Sequence, residues 1–364
     1  MKRTLKIAGL LTASVVTLTI TAVVLLYTMT DADEAVPDTV ATDPTISHVE
    51  IDGVTFHADT FGDPANPVVV VVHGGPGGDY GYLLNLHQLE DDYFVVFYDQ
   101  RGAGLSPRVD AAELTLQSSI DDLHRMVTHY GRGEPVRLIG HSWGAMLAAA
   151  YVGQHPDDVL QAVLAEPGAL DNAGLARFAE RQAASSRSAE YYRLLIPTIL
   201  ESLHLDGPDA EAQMDYIYGK MSAHFVNTAA SGYRCADESV VSVQPEVPVP
   251  PSRFGTTAYK TLFGPDVDLS SIAVNAGNYD GDVLFIASEC NSFIGVDFQR
   301  EQMGFFPQAE LKVIPDAGHE MFSENPVDSL AAVRDFFGQW MKPSSLNSMN
   351  RPSANTPNWA AMSC

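Results

Sequence analysis

Residues 136–151 read Val136-Arg137-Leu138-Ile139-Gly140-His141-Ser142-Trp143-Gly144-Ala145-Met146-Leu147-Ala148-Ala149-Ala150-Tyr151. An apolar run is followed by a Gly-x-Ser-x-Gly turn and then by small, helix-forming residues. That order spells strand, tight turn, helix, the setting in which a serine hydroxyl is lifted above the edge of a sheet. The glycines let strand and helix approach closely. The new helix points its unpaired N–H groups at the space in front of Ser142. Ser142 is therefore a candidate nucleophile, and the rest of the chain must supply a base, an acid and two hydrogen-bond donors.

On both sides of the turn the chain alternates between strand and helix patterns. Ile46–Ile51 and Val54–Phe61 flank Asp52-Gly53 as a hairpin would. Val68–Val72 is a solid β-branched run, the mark of a strand buried on both faces, and it ends in His73-Gly74-Gly75-Pro76-Gly77-Gly78. Tyr93–Tyr98 ends in Asp99-Gln100-Arg101-Gly102-Ala103-Gly104-Leu105-Ser106. Helical spacing of Ile120, Leu123 and Val127 follows, and Leu160–Ala165 reads as the strand after the turn and its helix. The reading predicts an α/β fold with a doubly wound, mostly parallel sheet.

The alternation breaks at residue 168. Helical patches at 173–186, 189–204 and 209–226 and a proline-rich turn at Gln244–Ser252 predict a helical cap insertion over 168–277. The core then comprises 46–167 and 278–342, with strands at Val283–Ala287 and Glu310–Ile314 and helices at 296–304 and 326–341. Residues 343–364, rich in Pro, Ser and Asn, read as a disordered tail.

A serine hydroxyl attacks only once a base takes its proton, and the base needs a third group to orient it. His319 sits in Pro315-Asp316-Ala317-Gly318-His319, directly after the last strand, and is the candidate base. The loop after Val283–Ala287, where an aspartate is expected, reads Ser288-Glu289-Cys290-Asn291. Asparagine cannot carry the charge that steadies an imidazolium. Three carboxylates remain, Glu166 at the end of the neighbouring strand, Asp297 and Glu289, with a site that lacks a true third acid as the other alternative. Glu166 is favoured because its strand end lies beside the serine's. The backbone N–H groups of Trp143 and Gly75 are the expected oxyanion donors. Arg101 is expected to orient the glycine loop through its carbonyls.

The net charge of −25 argues against nucleic acid and against adsorption to anionic lipid. Cys235, Cys290 and Cys364 allow one bridge at most. No Cys/His cluster has metal-ligand spacing, and neither metal nor cofactor is expected. Lys2, Arg3 and Lys6 precede 23 uncharged residues, Ile7 to Met29, and Asp31, Asp33 and Glu34 follow. This segment is long enough to cross a bilayer, with the N-terminus in the cytoplasm and the body outside. Residues 1–30 are read as a retained anchor, with a cleaved signal (a secreted body) or a buried helix as alternatives. Thr30-Asp31-Ala32 is a poor cleavage site, and 31–45 reads as a mobile linker.

The motifs His73-Gly74-Gly75-Pro76-Gly77, Asp99 to Ser106, Gly140 to Gly144 and Gly318-His319 together resemble the α/β-hydrolase superfamily, and within it the prolyl aminopeptidase (proline iminopeptidase) group. The resemblance runs over roughly 46–341 by motif order. It implies a serine hydrolase with Ser142 as nucleophile, His319 as base, and Gly75 and Trp143 as oxyanion donors. That group normally takes its acid from an aspartate after the later strand, so Asn291 is a departure. A glutamate at the position of Glu166 resembles haloalkane dehalogenases in geometry only, because dehalogenases and epoxide hydrolases need a carboxylate nucleophile. The aminopeptidases hold the substrate amine with cap acids, for which Glu190, Glu201, Asp206, Asp209, Glu211 and Asp215 are candidates. The expected activity is aminopeptidase first, carboxylesterase or lactonase second, and a non-catalytic binding protein of the same fold third. The expected partner is a small molecule or short peptide, with membrane contact through the N-terminal segment.

Overall fold

The strand that carries Ser142 lies near the middle of an eight-stranded sheet. The computed structural model describes residues 2–31, 35–185, 189–227, 231–235, 242–264 and 267–338. The strands are β1 (His48–Ile51), β2 (Val54–Phe61), β3 (Val68–Val72), β4 (Phe94–Tyr98), β5 (Val136–His141), β6 (Val159–Ala165), β7 (Asp282–Ser288) and β8 (Ala309–Ile314). Their order is β1-β2-β4-β3-β5-β6-β7-β8. The first two pairings are antiparallel and the rest parallel. The tail expected from 343 onward lies outside the described residues.

Register decides where the chemistry can sit. Val72 pairs with Gly140, His141 with Ala165, Ala165 with Ile286, and Ser288 with Ile314. The carboxyl ends of β3, β5, β6, β7 and β8 are therefore nearly level. The residues that follow them, Gly74, Ser142, Glu166, Asn291 and His319, emerge on one edge, where ligands bind in open sheets of this kind.

The β-branched runs bury both faces. Val70, Val72 and Leu138 pack under α2 (Leu116–Gly131) and α3 (Trp143–Gln154), while Val69, Val71, Ile139 and Val163 pack with Val333, Phe336 and Phe337 of the C-terminal helix Pro326–Gly338. Thr115 starts α2 with a capping box closed by Ser118.

The insertion holds α4 (Asn172–Ser185), α5 (Ala189–Ser202), α6 (Ala212–Asn227), α7 (Thr256–Leu262) and α8 (Ser270–Ala276). The last two are too short to leave a periodic signal. Ala258 and Leu262 of α7 and Ile272 and Ala276 of α8 also join the core cluster that contains Val70 and Leu138. A buried ion cluster fixes α6 to the body. Asp215 meets Arg108 at 3.1 Å and Arg253 at 3.0 Å, and Arg253 meets Asp209 at 2.7 Å.

The N-terminal helix α1 (Lys2–Met29) contains a stretch, Thr12–Met29, of mean hydropathy 1.8 and no burial, long and apolar enough to cross a membrane. The expected linker differs from its reading. Thr39 and Val40 are buried, Val40 N–H donates to the Leu105 carbonyl at 2.9 Å, and the Pro37 carbonyl accepts from Arg253 at 3.0 Å. The chain is thus fastened to the body from Pro37 on, through contacts distant in sequence.

Gly144 shows why the turn needs glycine: a Cβ there would overlap the Val72 carbonyl. Gly144→Ala is expected to lower stability by about 3 kcal/mol or more. Gly277→Ala, with open space around it and an ordinary helical backbone, should change stability by less than about 1 kcal/mol. Urea titration of both variants measures the difference, and equal midpoints would contradict the packing argument.

Candidate active site

Ser142 occupies φ 56° and ψ −120°, a region costly for a residue with a side chain. Its backbone is held from both sides. The N–H donates to the Ala165 carbonyl at 2.9 Å, and its carbonyl accepts from the N–H groups of Ala145 and Met146 at 3.0 and 3.2 Å. A Cβ on Gly74 would lie 2.8 Å from the Ser142 Cβ, so the glycine loop packs directly against the serine.

Glu166, at φ 43°, is the second strained residue, and its N–H donates to the Ile286 carbonyl at 2.9 Å. The side chain is fully buried. Oε1 accepts from the Ser288 N–H at 2.7 Å and from the Ser288 hydroxyl at 2.5 Å. Oε2 accepts from Asn291 at 2.6 Å and lies 2.7 Å from His319 Nδ1. A carboxylate facing an imidazole nitrogen accepts, so Nδ1 carries the proton and Nε2 is left as an acceptor. Burial pushes Glu166 up to about 7, against the three donors from Ser288 and Asn291. Burial alone pulls His319 down to about 3, which keeps its ring neutral.

Asn291 thus faces the carboxylate rather than replacing it. Its own Oδ1 accepts from the N–H groups of Phe293 and Ile294 at 2.9 and 3.0 Å, which fixes the amide's orientation. Asp297 points to solvent and pairs with Arg300 at 2.9 Å. Glu289 accepts from the Asp316 N–H at 3.3 Å. Of the three candidate carboxylates, Glu166 is the one placed on His319.

The role expected of Arg101 falls to its neighbour. Arg101 turns away and holds Asp122 at 2.6 and 2.8 Å. Gln100 binds the start of the glycine loop instead. Its N–H donates to His73 Nε2 at 3.0 Å, its amide donates to the His73 carbonyl at 2.8 Å, and its amide oxygen accepts from Trp143 Nε1 at 2.9 Å. Sequence reasoning also passed over His141 and Tyr82. The Gly74 N–H donates to Tyr82 Oη at 2.7 Å, and Tyr82 Oη lies 2.7 Å from His141 Nδ1. His141 Nε2 lies 2.7 Å from the His319 carbonyl. A carbonyl only accepts, so Nε2 carries the proton and Tyr82 donates to Nδ1. Burial lowers His141 to about 3, consistent with that neutral form.

Gly75, Ser142, Trp143 and His319 all line one cavity of about 960 Å³. Trp143 opens α3, so its N–H has no partner within the helix. Gly75 is at φ 50°, where glycine is the least strained residue. Asp79, Glu190 and Glu320 also line the cavity, and among the described residues no Lys or Arg does. Burial and Glu324 push Glu320 up to about 7.

Cys235 and Cys290 form a disulfide. Cys290 precedes Asn291, and Cys235 lies two residues after Tyr233, whose carbonyl accepts the His319 N–H at 2.6 Å and whose ring packs on the His319 ring at 4.4 Å. The bridge therefore joins the support of Glu166 to the support of His319. One group among the described residues has ligand atoms close enough to hold a cation: His124, His155 and Asp158. The two rings stack with centroids 4.4 Å apart and planes 17° apart, and both Nδ1 atoms lie near one Asp158 oxygen, at 3.3 and 3.7 Å. The group sits at the far end of α3 from Ser142.

The family described as alpha/beta hydrolase fold matches residues 67–326. Epoxide hydrolase 3 of Xenopus tropicalis is 26% identical over 296 residues, covering 78% of this chain and 75% of that protein. Proline iminopeptidase of Heyndrickxia coagulans is 38% identical over 100 residues, covering 27% of this chain and 34% of that protein. The crystal structure of proline iminopeptidase from Mycobacterium smegmatis aligns with a TM-score of 0.57 at 21% identity, over 83% of this chain and 99% of that one, which shows a shared fold.

The disulfide closes a loop of 55 residues, for which chain entropy gives about 4 kcal/mol. The paired variant Cys235→Ser with Cys290→Ser is expected to unfold at lower temperature and to exchange the His319 N–H faster. Unchanged exchange at that amide would show that the bridge does not hold the histidine loop.

Proposed function

We propose that this chain, which belongs to the α/β-hydrolase family, is a serine hydrolase that removes an amine-bearing N-terminal residue from a short peptide. The observation that carries the reading is the acidic lining of the cavity. Asp79, Glu190 and Glu320 line the cavity that also holds Ser142, with no Lys or Arg among the described lining residues. Asp79 accepts from the Gly81 N–H and the Ser252 hydroxyl, and Glu190 lies 3.7 Å from His224. An ammonium group is the natural complement. Of the six cap acids, Glu190 is the one on the cavity wall. Asp209 and Asp215 are held by Arg253, Glu201 by Lys220, and Glu211 accepts from Thr257. Asp79 and Glu320 come from the core loops, next to the glycine loop and next to His319.

In the proposed reaction, Ser142 Oγ attacks the peptide carbonyl as His319 Nε2 takes its proton. Glu166 holds Nδ1–H and steadies the imidazolium that forms. The N–H groups of Gly75 and Trp143 receive the oxyanion. His319 returns the proton to the leaving amine, and water then cleaves the acyl-enzyme by the same steps in reverse order. The neutral His319 favoured by burial suits it to begin as a base.

We further propose that α1 anchors the protein with the catalytic body outside the cytoplasm. The disulfide supports this, since such bonds persist in oxidising compartments. A second reading, a carboxylesterase or lactonase, draws on the aromatic wall formed by Phe178, Tyr218, Phe225, Tyr259 and Phe263, which suits an apolar acyl group.

A fluorophosphonate should label Ser142 in the folded protein; absence of the adduct would favour a non-catalytic binder. Hydrolysis of proline-naphthylamide is expected, and turnover confined to nitrophenyl esters would move the assignment to the second reading. Glu166→Gln should lower kcat on the order of 10³–10⁴-fold, by loss of the steadying charge. Asn291→Ala should cost only about tenfold, by loss of one donor. The opposite ranking would reject Glu166 as the acid.

Below about pH 7 Glu320 is protonated and cannot hold an ammonium, and a substrate α-amine loses its proton above about pH 8. KM for an amine substrate should therefore be lowest between these limits, while KM for a neutral ester should not follow that profile. Matching profiles would remove the amine-binding role.

A further inference from the structure

On α5 two hydroxyl residues are buried while four large apolar residues are exposed. Thr198 and Ser202 have exposures of 1% and 2%, and Leu200, about 200° round the helix from Thr198, of 9%. Tyr192, Ile196, Ile199 and Leu203 face outward, with exposures of 51%, 53%, 41% and 53%. Spacings of four, three and four residues place those four on one side of the helix and its last turn. The two acidic residues of α5, Glu190 and Glu201, lie about half a turn away at 100° per residue. The inward hydroxyls satisfy themselves locally: Thr198 donates to the Leu194 carbonyl at 2.9 Å and Ser202 to the Ile199 carbonyl at 2.8 Å. A water-facing helix carries the reverse pattern. A contiguous outward stripe of this kind marks a contact surface.

The position of the stripe selects its partner. Its last member, Leu203, is followed by His204, which stacks on Tyr27 with centroids 4.1 Å apart and planes 14° apart. His204 Nε2 also lies 2.9 Å from the Tyr27 carbonyl. Tyr27 is in the last turn of α1, where a spanning helix reaches the headgroup layer and where tyrosine is favoured. The stripe therefore begins where the span would leave the bilayer. The connection is short as well. Pro37, already fixed to the body by Arg253, is eight positions beyond Met29, a reach of at most about 28 Å.

We propose that the outward face of α5 lies in the interfacial layer of the membrane that holds α1. The protein is then docked at two points instead of swinging on a linker. Its partner is a zwitterionic lipid surface. The net charge of −25 gives no attraction to anionic headgroups, so apolar burial carries the contact. The same helix contributes Glu190 and Tyr191 to the cavity wall, so docking also sets the cavity's orientation to the lipid. This inference rests on the reading of α1 as an anchor.

The test uses the full-length chain with Cys364→Ser, reconstituted in phosphatidylcholine vesicles containing nitroxide-labelled lipid. Single cysteines replace Leu18 on α1, Ile199 on the stripe, or Val327, 77% exposed on the C-terminal helix, and carry an environment-sensitive fluorophore. The Leu18 and Ile199 positions should be quenched at least twofold and Val327 left unquenched. Quenching at Leu18 with Ile199 behaving as Val327 would overturn the docking and keep the anchor. No quenching at Leu18 would overturn both. If Ile199 is shielded from water in a protein-concentration-dependent manner but not quenched by lipid, a second copy covers the face and the lipid assignment fails. Ile199→Glu, combined with a label at Ile196, should abolish quenching there and leave turnover of a soluble substrate unchanged; persistent quenching would also count against the stripe.

Discussion

A buried carboxylate must be surrounded by donors before it can do anything else, and Glu166 sets that requirement at the centre of this molecule. Charge in a fully buried site is tolerated only with such partners. Glu166 obtains them from two other strands: Ser288 ends β7 and Asn291 follows it, and His319 follows β8. The sheet register brings these strand ends level. The backbone of Glu166 accepts a positive φ so that its side chain turns into the group. The disulfide at Cys290 and the contacts of Tyr233 with His319 then fix the two loops to each other.

This arrangement explains which parts could be read from the sequence. The turn at Ser142, the valine run of β3 and the Gly-His pair after β8 are local patterns, each decided by a few adjacent residues. Glu166 could be reached because strand order follows from connection rules: the strand after the turn's helix lies beside β5, so its end lies beside Ser142. Asn291 was legible as an unoccupied acid position but not as a donor, because that depends on where β6 ends relative to β7. Arg101 and Gln100 illustrate the limit more sharply. Adjacent residues in a loop point in different directions, and nothing local shows that the neutral amide reaches the glycine loop while the guanidinium turns to Asp122. The segment beyond Pro37 has a linker's composition, yet Arg253, some two hundred residues later, holds it.

The insertion separates into two functions for the same reason. Its stretch 201–215 carries five acidic residues and no Lys or Arg, but Arg108 and Arg253 pair Asp209 and Asp215, which makes them structural. The carboxylates facing the cavity come mainly from the core: Asp79 follows the glycine loop and Glu320 follows the histidine. Reading amine recognition from a cap alone would miss them. Placing them on the core loops couples the proposed amine contact to the same backbone that holds the oxyanion donors and the base.

His141 completes that coupling. It occupies a variable position of the Gly-x-Ser-x-Gly turn, where pattern reading assigns no role. Its two nitrogens nonetheless face the two halves of the site: Tyr82, which receives the N–H of the glycine loop, and the carbonyl of His319. With Tyr82 donating to Nδ1 and Nε2–H donating to the His319 carbonyl, the ring is neutral. A protonated His141 would offer Nδ1–H to Tyr82, displacing the hydroxyl hydrogen that Nδ1 now accepts and leaving that oxygen to accept from both sides. Burial, by holding His141 at about 3, keeps one pattern of donors across the pH range in which Glu166 and Glu320 titrate. Glycine loop and histidine loop thus stay in fixed relation while the carboxylates around them change charge.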